Sequence, residues 1–506
     1  MNTKQKYRAL LGVLACNAVL LGTLWQPRVH AATHYLAPGG ADSNDGTSAT
    51  TPWQTFAFAI PQLQPGDKLL LGDGTYNASN SGYPSIVCGN NAVNGDSSQP
   101  ITLKAANERQ AFLQGNGSAF PFYMQDCAHW TIEGLHAEQG DFPNSSLESG
   151  GVFRVLFSNN VTLRRNLARF NNRYINGAIF ELDGSTDSLV EENEIYSYHR
   201  HGFSGYHSTN VVFRRNYANS RNYPDISGGY ASVDATAGDS GYIFYPANGN
   251  VVENSISEHN GSDGGFAVKA VESLAADDNR FYGNISLHDT YGVTVGPWDG
   301  TTSDTGMPHN NLFVDQVIAN SLSTGMFSRS AKGTHCDNCT ILASGGSGVN
   351  ADLRSDSPGD GTSSFFGSNI LALNSQGTGV LMSTTLADWS IEFTNSFNNT
   401  PNYSPASDPR FTDTLSIDAE LGACKVFIPT SSPLKGAGTN GSDIGANVLF
   451  RYEHGALTDQ PLWDPLTGQF PCGAIVPGVN DQAGDSCFDV HQRLNVDTDG
   501  CLLPFE

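Results

Sequence analysis

NVVFRRNYA, residues 210–218, sets three β-type residues before two arginines, then an asparagine, then a further apolar pair. The same arrangement returns as VTLRRNLA (161–168), SLVEENEI (188–195), NVVENSI (250–256), NRFYGNI (279–285), NLFVDQVI (311–318), HCDNCTI (335–341), SFFGSNI (364–370) and IEFTNSF (391–397). The recurring slot holds Asn166, Asn193, Asn216, Asn254, Asn284, Gln316, Asn338, Asn369 and Asn395, spaced 22 to 38 residues apart. A period of that length marks a solenoid. Short β runs without helical periodicity, with a polar residue at each corner, predict an all-β chain wound as a single-stranded parallel β-helix. The asparagines are expected to stack as a ladder, satisfying one another and the turn backbone. That role is structural.

A second run follows each asparagine run, usually opened by glycine: GVFRV, GAIFE, GFSGY, GYIFY, GFAVK, GVTVG, GMFSR and GVNAD. Aligned on that glycine, the first and third following residues are mainly apolar and are assigned to the core; Arg154 falls in the second of these columns. The fourth following residue reads Val155, Glu181, Tyr206, Tyr245, Lys269, Gly296, Arg329 and Asp352, a column that faces outward because side chains alternate along a strand. Tyrosine, lysine and arginine cluster there, with glycine leaving a gap between Lys269 and Arg329. This row is the candidate site. A randomly polar solenoid face is the plainer reading. Asp239 and Asp263 stand two residues before their glycines, and Asp289 three before the next. Stacked carboxylates repel unless a cation joins them, and hard oxygen ligands favour Ca²⁺. Ordinary turn aspartates fit the same positions.

The chain has 506 residues, 55 glycines and 15% charged residues, which suits a turn-rich β protein. Its start reads as a secretory signal over 1–31: Lys4, Lys6 and Arg8, an apolar run, then VHA before Ala32. Removing 1–31 takes away four basic residues (Lys4, Lys6, Arg8, Arg28) and no acidic one, so the formal charge goes from −24 to −28. That excess argues against a nucleic-acid partner. No later segment is apolar and long enough to span a bilayer, so the mature protein is expected to be extracellular, off the membrane and monomeric. Nine cysteines become eight, and an even count in an exported chain favours disulfides. The pairings expected are Cys88–Cys127, Cys336–Cys339, Cys424–Cys472 and Cys487–Cys501. Residues 32–450 are taken as the β-helix and 451–506 as a small cysteine-containing tail, which ends in NVDTDGCLLPFE, a calcium-loop spacing from Asn495 to Glu506.

The segment HYLAPGGADSNDGTSATTPWQTFAFAIPQLQPGDKLLLGDGTY (34–76) holds a short helix with Pro52 in its first turn, then a strand between turns. It resembles the N-terminal cap of secreted right-handed parallel β-helix proteins: the pectate, alginate and chondroitin lyases and related uronan C5-epimerases. SSPLKGAGTNGSDIGA (431–446) resembles the closing turn of the same group. The resemblance implies a right-handed solenoid and an activity on an acidic glycan. It implies Lys269 as a base and Asp263 as a Ca²⁺ ligand, as in the calcium-dependent pectate lyases. The alginate and chondroitin lyases carry an arginine in the coil after the lysine; here Gly296 holds that place and Arg329 comes one coil later. The epimerase Asp-Pro-His-Asp motif is absent.

The expectation is therefore a secreted polysaccharide lyase. Ca²⁺ on Asp239, Asp263 and Asp289, or Arg329, would neutralise a uronate carboxylate. Lys269 would take the α-proton, and Tyr245 or Tyr206 would protonate the leaving oxygen. His201, His207, Trp298 and Glu181 are the remaining candidates for lining the groove. A C5-epimerase, a glycoside hydrolase and a non-catalytic glycan-binding solenoid stay open, because the fold alone does not choose among them.

Overall fold

Each coil opens with a three- to five-residue strand whose middle side chain points inward. In Val212–Arg214 only Phe213 is fully buried. The computed structural model describes residues 31–142, 145–221, 238–271, 274–297, 306–353, 361–421, 426–464, 466–470 and 473–480. The predicted signal segment, except Ala31, therefore lies outside the described residues, as do Trp298, the calcium-like spacing at 495–506 and the cysteines at 424, 472, 487 and 501. Cys88–Cys127 and Cys336–Cys339 are bonded as expected.

Among the described residues the strands form three long parallel sheets of 14, 12 and 12 strands. Sheet 1 runs from Thr33–Leu36 to Phe411–Thr412, sheet 2 from Gly74–Tyr76 to Asn395–Phe397, and sheet 3 from Ser85–Val87 to Tyr403–Ser404. Twelve successive coils contribute one strand to each sheet, with Thr33–Leu36 and Phe411–Thr412 added at the two ends of sheet 1, which is a parallel β-helix. The interior is stacked like on like. Phe122, Phe153, Phe180, Phe203, Tyr242 and Phe266 occupy one column of sheet 3, with successive ring centroids 4.6 to 5.4 Å apart. Each such pair adds about 0.5–1.5 kcal/mol beyond its buried area.

The corner between sheets 1 and 2 carries the ladder. Asn193 Oδ1 accepts from the backbone N–H and the side-chain amide of Asn166, at 2.9 and 3.1 Å, and Asn216 Oδ1 does the same for Asn193. The residue before each rung sits at positive φ, for instance Arg215 at 50° and Glu192 at 54°. This corrects the slot at four coils. Asn254, Asn338 and Asn369 are the positive-φ residues, at 54°, 52° and 52°, and the rungs are Ser255, Cys339 and Ile370. Asn395 lies one place past its rung, Thr394, whose hydroxyl accepts from Ile370 N–H at 3.3 Å. A second ladder, not anticipated, joins Asn250, Asn279 and Asn311 at the opposite corner.

Outside sheet 1 a column alternates in charge: Lys104, Glu133, Arg164, Glu191, Arg214 and Glu253, in register. Arg164 holds Glu133 at 2.7 Å and Arg214 holds Glu191 at 2.8 Å. A one-strand slip would set like charges side by side, so the column reinforces the register.

The cap helix runs Phe56–Ala59, with Thr55 rather than a residue near Pro52 as its N-cap, its hydroxyl accepting from Phe58 N–H. At the other end the coils stop at Phe411–Thr412 and the chain turns back along sheet 2. Asn369 accepts from Thr439 N–H, Asp315 from Asn447 N–H and the Tyr452 hydroxyl, Glu253 from Gly455 N–H, and Glu194 from Gly473 N–H. Its apolar residues, Val426, Phe427, Leu434, Ile444, Val448, Leu462 and Trp463, pack on the outer face of sheet 2. A boundary at 450 thus falls inside the returning segment.

Asn193→Ala removes a buried amide that serves four groups of the two flanking coils: the Asn166 N–H and side-chain amide, the Leu163 carbonyl and Asn216 Oδ1. The expected cost is about 2–4 kcal/mol, read as a fall in the urea midpoint with circular dichroism.

Candidate active site

Sheet 3 presents two outward columns. The register sets Arg154 opposite Glu181 and Glu181 opposite Ser204, while Asp183 lies opposite Tyr206 and Tyr206 opposite Tyr245. Phe244 faces Val268, so Tyr245 faces Lys269 one place on; Lys269 faces Gly296, and Arg329 faces Asp352. The row from Tyr206 to Asp352 therefore stands as aligned. Its two earliest members do not. Val155 is an interior residue opposite Leu182, and Glu181 belongs to the neighbouring column, with Asp183 in its place. Against their glycines, Ala178–Asp183 enters two residues late and Phe153–Leu156 one residue late, so Phe153, not Arg154, aligns with Phe180 and both with Phe203. The one-residue offset of Phe153–Leu156 turns Arg154 from the core to the outer face.

A cleft of about 370 Å³ opens on this face. One end is lined by Glu148, Arg154, Glu181 and Asp183, the other by Arg200, His201, Tyr206 and Tyr245. At the second end several groups converge. The Tyr245 hydroxyl is 3.5 Å from His201 Nε2 and 3.5 Å from Asp263 Oδ2. His201 Nδ1 meets the Ser240 hydroxyl at 2.8 Å, which fixes the ring and leaves Nε2 toward Tyr245. Lys269 donates to Asp263, and Arg200 holds Asp239 at 3.0 Å. His201, Asp239 and Asp263 each bring one donor atom within 4.8 Å of the others.

Burial, then the charges of Arg200 and Lys269, pushes His201 well below the usual imidazole range, so it is neutral at neutral pH. Burial and the charge of Asp263 hold Tyr245 well above the usual phenol range, so it keeps its proton. Burial and the nearby Asp263 raise Asp239 to about 6. Glu181 is raised by burial against the pull of Arg154.

The remaining expected residues lie elsewhere. Arg329 is two strands from Lys269, with its Nε 3.0 Å from Asp352 and its guanidinium over the Phe327 ring. Gly296 does not open a gap toward it: a Cβ there would come within 2.6 Å of the Arg329 carbonyl. The cleft runs the other way from Lys269, toward Glu181. His207 is half-exposed, 3.4 Å from Asp183. Asp289 is interior. It accepts from Asn260 N–H and Ser286 Oγ at 2.7 and 2.6 Å and is fully buried. Arg154, Asp183 and Arg200 were missed. Arg154 was misread by one place, Asp183 was passed over for Glu181 two places before it, and Arg200 precedes its strand.

Calcium takes six to eight oxygen ligands. The described residues offer two carboxylates, each already paired with a cation, and an imidazole nitrogen. That set does not fit a calcium shell, and no step below runs through one.

No protein-family model matches this chain, and no curated protein matches it. Solved structures do. XylC in complex with xylose aligns over 77% of this chain and 87% of its own at 10% identity, TM-score 0.50. The pectate lyase Pel9A covers 82% and 96% at 15% identity, TM-score 0.43, and the PL6 alginate lyase AlyGC 82% and 58% at 14%, TM-score 0.42. The fold is the right-handed parallel β-helix. At these identities the likeness is one of fold. No helix among the described residues is long and apolar enough to cross a membrane.

Asp289 is held at about 7 by burial, against 3.8 for a free carboxyl. The folded protein therefore keeps a proton that the unfolded chain has lost, and stability falls as pH rises from about 4 to about 7. At about 1.4 kcal/mol per unit this amounts to about 4 kcal/mol. Asp289→Asn removes that slope: between pH 5 and pH 8 the variant should lose less stability to urea than the wild type.

Proposed function

We propose that this protein is a polysaccharide lyase acting on a uronate-containing glycan, with Tyr245 and His201 as its proton-transfer pair. The observation that carries this reading is a protonated phenol and a neutral imidazole 3.5 Å apart at the end of a cleft that also holds the Arg200 guanidinium. β-Elimination needs a base for the proton α to the carboxylate, an acid for the leaving glycosidic oxygen, and a cation for the charge that builds on the carboxylate. His201 Nε2 takes the C5 proton, the C5–H electrons form the C4–C5 double bond as the C4–O bond breaks, and Tyr245 protonates the departing oxygen. Arg200 faces the carboxylate as it becomes an enediolate. Lys269 donates to Asp263, so its part is to position that carboxylate beside Tyr245, in place of the base role that the resemblance implies.

One observation favours a second reading. Glu181, with its carboxyl raised by burial, and Asp183 line the same cleft, and a glycoside hydrolase works with two carboxyl groups.

Incubation with polygalacturonate, alginate and chondroitin, with calcium and with chelator, separates the two. The lyase produces ultraviolet absorbance from the new double bond, unchanged by chelator, and Tyr245→Phe lowers the rate about 10²–10⁴-fold. New reducing ends without absorbance, abolished by Glu181→Gln, would establish the hydrolase.

A further inference from the structure

The end of the cleft away from Tyr245 holds a guanidinium that the reaction does not use. Arg154 is only 6% exposed, yet it lines the cleft. Its Nε is buried without a hydrogen-bond partner. The two nearest carboxylates stand off: Glu181 Oε1 is 3.9 Å from Nε and Glu148 Oε2 is 3.6 Å from a terminal nitrogen, both beyond hydrogen-bond length. Glu181 is instead engaged by the Ser149 hydroxyl. The guanidinium lies over the Phe120 ring, 5.1 Å from its centroid, and Phe120 stacks on Tyr123 at 5.5 Å. Arg154 is thus held in place by an aromatic support and by charge, with its fork unsatisfied. A buried guanidinium in that condition costs stability unless something enters the cleft to meet it. A planar two-oxygen group matches the fork.

Arg154 stands three strands before the strand of Tyr245, about 14 Å at the spacing of neighbouring strands. That is too far for one sugar ring to touch both. We infer that Arg154, braced on Phe120, is a carboxylate subsite, so the ligand of this cleft is a polymer bearing acidic units along its length rather than a single acidic residue at the point of cleavage. The inference rests on the glycan reading above and adds a second recognition point to it.

Binding without turnover tests it. Tyr245→Phe protein is titrated with hexamers of polygalacturonate and alginate and with the same oligomers after carboxyl reduction. Adding Arg154→Met should weaken the acidic hexamer tenfold or more and leave the reduced one unchanged; Arg154→Lys, which keeps the charge and loses the fork, should fall between. Glu148→Gln, at an exposed residue whose loss the fold tolerates, should tighten the acidic hexamer two- to threefold by removing a competing carboxylate. Equal weakening of acidic and reduced oligomers, no weakening by Arg154→Met, no tightening by Glu148→Gln, or no binding of either acidic hexamer would overturn the subsite. Arg154-dependent binding with no unsaturated product from the wild type would sink the lyase reading and leave the subsite standing.

Discussion

The constraint on which this molecule depends is the corner amide. At the turn between sheets 1 and 2 the backbone bends through a residue at positive φ, and the N–H that follows has no strand partner of its own. A side-chain oxygen from the next coil accepts it, as Asn193 does for Asn166 and Asn216 for Asn193. An unpaired buried donor there would cost about 1–3 kcal/mol per coil. Because each rung reaches into the next coil, it also fixes the offset between coils. The aromatic column inside sheet 3, the alternating charges outside sheet 1 and the two outward columns of the cleft all inherit that offset.

The architecture was legible because a corner that recurs must recur in sequence. Its register was less so, because asparagine suits two adjacent places at the same corner. It fills the rung at Asn216, and at Asn254 it fills the positive-φ position before the rung, where a short polar side chain is also tolerated. Composition alone cannot separate the two. The row from Tyr206 to Lys269 was read correctly since those strands enter their coils at a shared glycine, whereas Ala178–Asp183 enters two residues late and misplaced Glu181, and Phe153–Leu156 enters one residue late and misplaced Arg154. Asp289 stands three residues before its glycine where Asp263 stands two before, and it is fully enclosed while Asp263 reaches Lys269. Arg200 precedes its strand, and no periodic argument reaches it.

Electrostatically the site is unlike the chain that carries it. The sequence holds 50 acidic and 26 basic residues, yet the carboxylates nearest Tyr245 are paired one for one: Asp263 with Lys269 and Asp239 with Arg200. Burial raises the Glu181 and Asp239 carboxyls above the usual carboxylate range. A strongly acidic surface and a cleft hospitable to an anion are therefore compatible. Interactions across more than a Debye length of about 8–10 Å are screened, and the local pairs set the potential that a ligand meets.

The returning C-terminal segment changes what kind of object the solenoid is. A stack of coils that touch only their neighbours behaves as a one-dimensional chain, and it frays from either end. Here one segment bonds in turn to the coils of Asn369, Asp315, Glu253 and Glu194, and reaches Glu108 near the opposite cap, where Ala474 N–H donates at 2.9 Å. It works as a tie rod. The loosening of one terminal coil strains contacts many coils away, so the ends share the fate of the middle, and a fold built by repetition acquires the long-range cooperativity of a globular domain.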